Sequence, residues 1–516
     1  MKTKKTAILD IGSNTIRLVI YSYDHIRGLR EFENIKTVAR LRTFIQNDGS
    51  MSEEGIELLQ EILQSFQQML KDYDVDDVLA TATAAIRQAT NQQQIVERMK
   101  KETGFELDIL SEEEEAYFGF LAVAHSVSTE SAVTIDIGGG STEITYFVNK
   151  KLQKTHSFPF GVVSLQQQFM KGEKMSSVER DQLSLFAEAQ FRSLPWLNGV
   201  SLPVIGIGGS ARNIAQIDQQ RKEYPISNVH QYNMNVIDLY TLSDTLGDLS
   251  INELTKIDGL SSDRADIILP ALEVFRALMK VVQSQEFIFS RKGLREGIML
   301  NRVLQIHPNA LNKHDVFTQS SKALAAEFEM NEHEAEHLQF LAEQVYEACV
   351  SHHKIQLSED SLILLRRAAT LFYLGEYIDA DSASQHTFYI LSNRSIDGLE
   401  HMERIKLALV ASYKNKDTLK RYAAPFEKWL SKDDLKHLRE LGAILKFAYG
   451  LNGSKRSIVN KVEMESYGEG LKMNIFVKGN AMAEEYQAGK QKKHLERLCK
   501  CEVTLEFIEK DGQANG

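Results

Sequence analysis

The six residues Asp10-Ile11-Gly12-Ser13-Asn14-Thr15 return further along the chain as Asp136-Ile137-Gly138-Gly139-Gly140-Ser141-Thr142. Each time an apolar, strand-like run ends on the acid, turns through glycine and polar residues, and resumes as alternating strand sequence. The first copy reads TAILDIGS then TIRLVIYSYD, and the second spans residues 131 to 161. A repeated strand–acid–turn–strand unit predicts two related halves. A third glycine turn, in VIGIGGSARNIAQ at 204 to 216, follows an apolar strand and opens a helix. Turns of this composition point several unpaired backbone N–H groups into one concavity, which suits an anion such as phosphate. Two strand-terminal acids facing each other across a cleft suit a hydrated divalent cation that neutralises phosphate oxygens.

Around these turns the chain alternates strand and helix up to about residue 305. A helix is predicted from Ser52 to Asp72, a strand at VLATATAA, a helix near NQQQIVERMKKETG, a strand at ELDIL and a helix through SEEEEAYFGFLAVAHSV. Pro308 and Asn309 read as a linker. From Lys313 to about Leu445 the apolar spacing is helical, as in LQFLAEQVYEACV, and the last seventy or so residues read as a small mixed domain with strands. The expected domains are therefore 1–125, 126–305, 306–445 and 446–516.

Composition excludes several classes. The chain has 516 residues and a net charge of −11, which argues against a nucleic-acid binder. No apolar run approaches the roughly 20 residues of a membrane span, and the N-terminal apolar run stops at Asp10, too early for a signal peptide. These features predict a cytoplasmic protein. Three cysteines, Cys349, Cys499 and Cys501, fit no disulfide framework, and the Cys-x-Cys is expected to be alternate residues on a strand rather than a metal site with His494. Charge is uneven: residues 401 to 500 hold 21 basic against 12 acidic residues, whereas residues 1 to 300 hold 31 against 40. The basic segment offers a place for a polyanion, and its lysines read equally well as solvated helix faces.

The paired turns resemble the phosphate loops of the actin, Hsp70 and sugar-kinase superfamily. The finer pattern resembles the exopolyphosphatase and guanosine pentaphosphate phosphatase (Ppx/GppA) family. Its blocks occur in order as DIGSNTIRL, TATAAIRQA, SEEEEAY, DIGGGSTE, GIGGSARNIA, GLSSDRADIILPAL and GLREG. The resemblance implies an α/β fold of two actin-like (ribonuclease H-like) domains, then an α-helical HD-like domain and a small C-terminal α+β domain. It further implies a cytoplasmic homodimer that uses Mg²⁺ to release orthophosphate from inorganic polyphosphate. Glu115, the acid immediately before Ala116, is then the base that activates water. Asp10 and Asp136 would position the metal, with Glu143 as a further ligand of metal or water. Ser13, Asn14, Thr15, Gly138, Gly139, Gly140, Ser141, Gly208, Gly209 and Ser210 would cradle phosphoryl groups. Arg87 would add a bidentate fork, while Arg17 and Arg295 read equally as partners of structural carboxylates.

The chain departs from the family at Glu112, where a glycine usually stands, and at Tyr117, usually arginine. In the helical region the HD metal ligands are replaced: the first His falls at or beside Glu334, next to His333, and the His-Asp pair falls on Phe372-Tyr373. His386 alone matches and is expected to be a packing or surface residue. This region is therefore expected to be no second enzyme but a basic guide for substrate or a dimer surface. Guanosine pentaphosphate is the alternative substrate, and a non-catalytic polyphosphate or alarmone sensor the alternative of another class. A sugar kinase would need an adenosine-binding block that is not found late in the chain.

Overall fold

The two acid-tipped hairpins each found a sheet in the computed structural model, which describes residues 5–24, 27–356 and 358–509. Strands β1 (Lys5–Ile11), β2 (Thr15–Asp24), β3 (Gly28–Val38), β4 (Val78–Ala82) and β5 (Leu107–Ile109) lie in the order β3-β2-β1-β4-β5. Strands β6 (Ala132–Ile137), β7 (Thr142–Val148), β8 (Lys151–Phe158), β9 (Val204–Ile207), β10 (Tyr232–Asn235) and β11 (Glu286–Phe289) lie in the order β10-β11-β9-β6-β7-β8. With β11 in the place of β5, the second sheet repeats the first, and β10 is an added antiparallel edge. In both, the first strand pairs antiparallel with the second and parallel with the fourth. The duplication expected from the repeated hexapeptide is thus a duplication of topology.

Both faces of each sheet are covered, which explains why the first strands read as nearly continuous apolar runs. Alternate residues of β1 divide between two cores: Ala7, Leu9 and Ile11 pack with Leu59, Leu63 and Phe66 of α1 (Glu53–Asp72), whereas Ile8 packs with Ile298 and Met299. The chain then forms α2 (Ala84–Arg87), α3 (Gln92–Thr103) and α4 (Glu112–Ala124). Helix α4 crosses to the second sheet, where Phe120, Val123 and Ala124 meet Ala132, Ile205 and Ile207. Helices α5 (Val162–Phe169), α6 (Ser177–Arg192) and α7 (Gly208–Arg221) follow, and Ile268–Val282 fills the other face of that sheet. The helix Leu294–Ile306 returns to the first sheet. It passes α4 so closely that a Cβ on Gly297 would lie 1.9 Å from the Phe118 carbonyl oxygen. Each half therefore donates a helix to the other, and residues 1–316 form one compact unit.

The second unit, residues 317–516, is helical up to Lys432–Leu451. It ends in β12 (Val459–Tyr467), β13 (Gly470–Val477), the helix Met482–Cys499 and β14 (Val503–Glu509), which form one three-stranded sheet backed by that helix. The expected boundary after residue 445 falls inside Lys432–Leu451, and the expected break at 305 falls inside the helix Leu294–Ile306, with the division between units at 316/317. Cys499 closes a helix and does not alternate with Cys501 on a strand, because Lys500 takes the left-handed conformation (φ 56°) that caps the helix.

Candidate active site

Each hairpin carries its acid at the end of the strand and its turn just beyond. Asp10 pairs across the hairpin with Arg17, and Asp136 occupies the same register position opposite Glu143. The turns close with equivalent backbone hydrogen bonds, Gly12 N–H to Thr15 O at 3.1 Å and Gly138 N–H to Ser141 O at 2.9 Å. The two tips touch: a Cβ on Gly139 would lie 2.9 Å from Ser13 Cβ, and one on Gly140 3.2 Å from Ser13 Oγ. Residues with side chains could not bring these turns together without displacing one of them. The third turn lies over the second acid. Gly208 opens α7 with φ +83°, and a Cβ there would lie 2.6 Å from Asp136 Oδ1. All three glycine turns thus gather around Asp10 and Asp136, with Ser13, Asn14, Ser141 and Ser210 buried beside them. Thr15 begins β2 and pairs with Val38, so its backbone belongs to the sheet.

Glu115 sits in the first turn of α4, whose start is fixed by a capping box in which Ser111 accepts from Glu114 N–H and Glu114 accepts from Ser111 N–H. The cap uses Glu114 and leaves Glu115 turned inward, its side chain only 10% exposed. Arg87 donates to its Oε2 and to Leu110 O. Burial nevertheless dominates. It pushes the Glu115 carboxyl up to about 7, against the lowering effect of Arg87 and with further raising by Asp136 and Asp10. Asp136 is pushed up to about 6 by burial and by Asp10. Burial also raises Asp10, opposed by Arg295 and Arg17. Glu143, which accepts from Ser157 Oγ at 3.0 Å, is raised by burial and then by Glu115.

Facing these acids are donors with no hydrogen-bond acceptor among the described residues. Asn14 Nδ2, Arg87 Nε and Nη2, and Arg295 Nη1 are buried without a hydrogen-bond partner. Buried donors are rarely left in this state. The Nε and Nη2 edge of Arg87 is the two-pronged edge a phosphate would take; Nη1 is engaged by Glu115 and Leu110, while Nη2 has only a 3.9 Å ion pair with Glu112. Arg295 approaches Asp10 at 3.9 Å. Arginines that the sequence reading left without a role complete the set. Arg264 donates to Ser210 Oγ at 3.2 Å and covers Gly209. Its loop is tied to α7 by Asn213, which donates to Gly209 O and accepts from Ser261 N–H. Burial, and after it the charges of Arg295 and Arg212, pulls Arg17 down to about 10. Arg212 is lowered by burial and by Arg264, Arg295 and Arg291. Mutually repelling guanidiniums gathered beside one another suit a polyanion. Arg264 was legible in principle, since an arginine inside a quoted block near a glycine turn is itself a signal.

Among the described residues, no three His, Cys, Asp or Glu side chains are grouped to ligate an ion directly. Asp10, Asp136, Glu115 and Glu143 nonetheless interact electrostatically: Asp10 raises the proton affinity of Asp136 and Glu115, Asp136 that of Glu115, and Glu115 and Asp136 that of Glu143. That donor set fits a cation such as Mg²⁺, which keeps most of its waters and takes one or two carboxylates plus substrate oxygens.

In the second unit the positions matched to the HD pair hold a different centre. Phe372 and Tyr373 stack with centroids 4.3 Å apart, Lys446 Nζ lies 4.2 Å over the Tyr373 ring and donates to its hydroxyl at 3.0 Å, and Tyr449 donates to Glu376 at 2.7 Å. Aromatic packing surrounds one ammonium group at these positions. His386 is half-buried against the turn at Gly375, where a Cβ would lie 2.6 Å from its own Cβ. His333 is 94% exposed.

Comparison with known proteins agrees with this architecture. Residues 19–306 match the family model described as the Ppx/GppA phosphatase family, and residues 316–489 match that of Ppx/GppA phosphatase, domain III. A guanosine-5'-triphosphate,3'-diphosphate pyrophosphatase of Pseudoalteromonas translucida is 24% identical over 81% of this chain and 82% of its own length. Exopolyphosphatase 1 of Mycobacterium tuberculosis is 25% identical over 58% of this chain and 88% of its own. The crystal structure of the Aquifex aeolicus Ppx/GppA family member superposes with a TM-score of 0.53 at 27% identity, covering 59% of this chain and 99% of that one. An exopolyphosphatase structure from Cytophaga hutchinsonii gives the same TM-score at 23% identity, over 58% of this chain and 98% of that one, a likeness of fold. The fold of residues 1–316 is accordingly the actin-like one, followed by the helical domain III.

Proposed function

The chain belongs to the Ppx/GppA phosphatase family, and from that premise we propose that it is an exopolyphosphatase. Water attacks the terminal phosphorus of an inorganic polyphosphate chain, Glu115 takes the proton, the terminal phosphoanhydride bond breaks, and the shortened chain departs from the released orthophosphate. The observation that carries this reading is the juxtaposition of Glu115, poised near neutrality, with buried donor atoms on Asn14, Arg87 and Arg295 that have no hydrogen-bond partner among the described residues. A base that titrates near working pH is suited to taking a proton from water. Donors already fixed around the phosphoryl group need no reorganisation as charge moves onto the leaving oxygen. Arg264 and the turns at Gly138, Gly139, Gly140, Gly208, Gly209 and Ser210 hold the chain's oxygens, and Ser13 and Ser141 border them. Asp136 and Asp10, with Glu143 beside them, would hold a divalent cation, for which we propose Mg²⁺; when bound it neutralises phosphate oxygens.

Polyphosphate is favoured over guanosine pentaphosphate because a long chain gains from basic surface beyond the reacting phosphate. The arginines around the turns provide such surface. The second unit is assigned no chemistry of its own, because Phe372 and Tyr373 stand where the resemblance places a metal-binding His-Asp pair. It guides the substrate or forms the homodimer. Phosphate release from long-chain polyphosphate and from guanosine pentaphosphate, measured side by side, tests the assignment. Preferential release from polyphosphate is expected. Release from the nucleotide alone would move the assignment to the alternative, and tight binding without release from either would make the protein a sensor.

A further inference from the structure

Glu115, Asp136 and Glu143 share a small cavity with Thr134 and Thr145, of about 20 Å³. It exists because α4 presents Ala116 and Gly119 at this point, adding little side-chain bulk, and Ile207 and Leu294 complete its lining. Thr134 on β6 and Thr145 on β7 are directly opposite in the strand register, and their hydroxyl oxygens are 2.5 Å apart. Both residues are buried, at 2% and 1% exposure. The neighbouring positions on this face of the sheet are apolar, Ala132, Phe147, Ile205 and Ile207, apart from the acids themselves. Valine would fill the same volume without burying hydroxyls, which are costly to bury uncompensated.

The hydrogen count gives the hydroxyls a further purpose. Two hydroxyls carry two hydrogens, and their mutual bond uses one. Among the described residues neither makes another hydrogen bond, so one hydrogen remains to be donated. A cavity of this size has room for one water, and the threonine pair with the carboxylates supplies the two to four polar partners that a buried water requires.

We propose that the cavity is a fixed hydration site holding one water between the Thr134–Thr145 hydroxyls and the carboxylates of Glu115 and Glu143. Thr134 and Thr145 are then positioning residues that hold Glu115 in the orientation from which it receives the proton of the attacking water. The inference rests on the reading of Glu115 as the base, and it adds a support for that base that neither glycine turn nor arginine provides.

The test combines a high-resolution crystal structure with steady-state kinetics on polyphosphate. The variants are T134V/T145V, which removes both hydroxyls so that neither is orphaned, and T134S/T145S, which keeps them. One ordered water is expected in the wild type and the serine variant and none in the valine variant. The valine variant should lose about tenfold in kcat, the worth of roughly one hydrogen bond to a charged group, with KM unchanged, and the serine variant should regain it. A wild-type cavity without an ordered water, or a valine variant with wild-type kcat, would overturn the inference. Glu115→Gln assayed in parallel separates the two levels. If it is inactive while the valine variant is fully active, only the role of the threonines falls. If it turns over like the wild type, the base itself is misassigned, and the density alone then judges the hydration site.

Discussion

Glu115 shows how a single carboxyl can be tuned by what surrounds it. Arg87 alone would hold it charged, yet burial beside Asp136 and Asp10 outweighs that ion pair and leaves the group near 7. The unfolded chain holds the same group near its ordinary value of 4.5, so between these two values the folded protein binds the proton more tightly. Stability from this group is thus fully present below pH 4.5 and is lost as pH rises through about 7. Asp136, raised from 3.8 to about 6, acts in the same direction. Glu115→Gln should therefore raise the melting temperature at pH 8 in the presence of a chelator and change it little at pH 5; a lower melting temperature at pH 8 would show that the Arg87 contact dominates after all. Adding Mg²⁺ at pH 8 should stabilise the wild type by mass action, since only the folded chain gathers the carboxylates, and thermal unfolding with and without the ion reads this directly.

At the scale of elements, close approaches decide the site. Gly208 is needed twice over, for its positive φ and for the Asp136 carboxylate beneath it. Gly208→Ala should abolish most activity while costing little more than the roughly 1 kcal/mol of a strained left-handed residue; activity assays and denaturant unfolding separate the two effects. Gly297→Ala meets backbone at Phe118 on the helix that carries Glu115, and should cost about 1 to 3 kcal/mol in chemical denaturation. The repeated acid-and-glycine hairpins were readable because strand period and turn chemistry are local properties. So was the start of α4 at its capping box. The exchange of α4 and Leu294–Ile306 between halves was not readable, because apolar periodicity says that a face is buried but not against what. For the same reason β3, half exposed at the sheet edge and rich in charge, passed unnoticed, as did the convergence of Arg264 and Arg212 on the turns.

Over the whole first unit, the duplicated sheet turns two ordinary hairpins into one crevice with opposite duties. The shared register position holds Arg17 in one half and Glu143 in the other, so at this one position the halves carry opposite charge. The lobes are tied by Lys36–Asp263 at 2.5 Å and Arg40–Asp266 at 3.0 Å. Such partly exposed pairs are worth at most about 1 kcal/mol each. D263N/D266N should leave the melting temperature within a few degrees of wild type while making KM for polyphosphate less dependent on salt; an unchanged salt dependence would remove the tie from the account. The central claim remains that the lobes enclose a phosphate chain so that one buried carboxylate can deprotonate water. Single-turnover hydrolysis of end-labelled polyphosphate by wild type and by Glu115→Gln, with binding measured on the same samples, tests it most directly. The account predicts that the variant binds the chain as the wild type does and is slower by at least about a hundredfold, the usual contribution of a positioned base; equal rates at equal occupancy would contradict it.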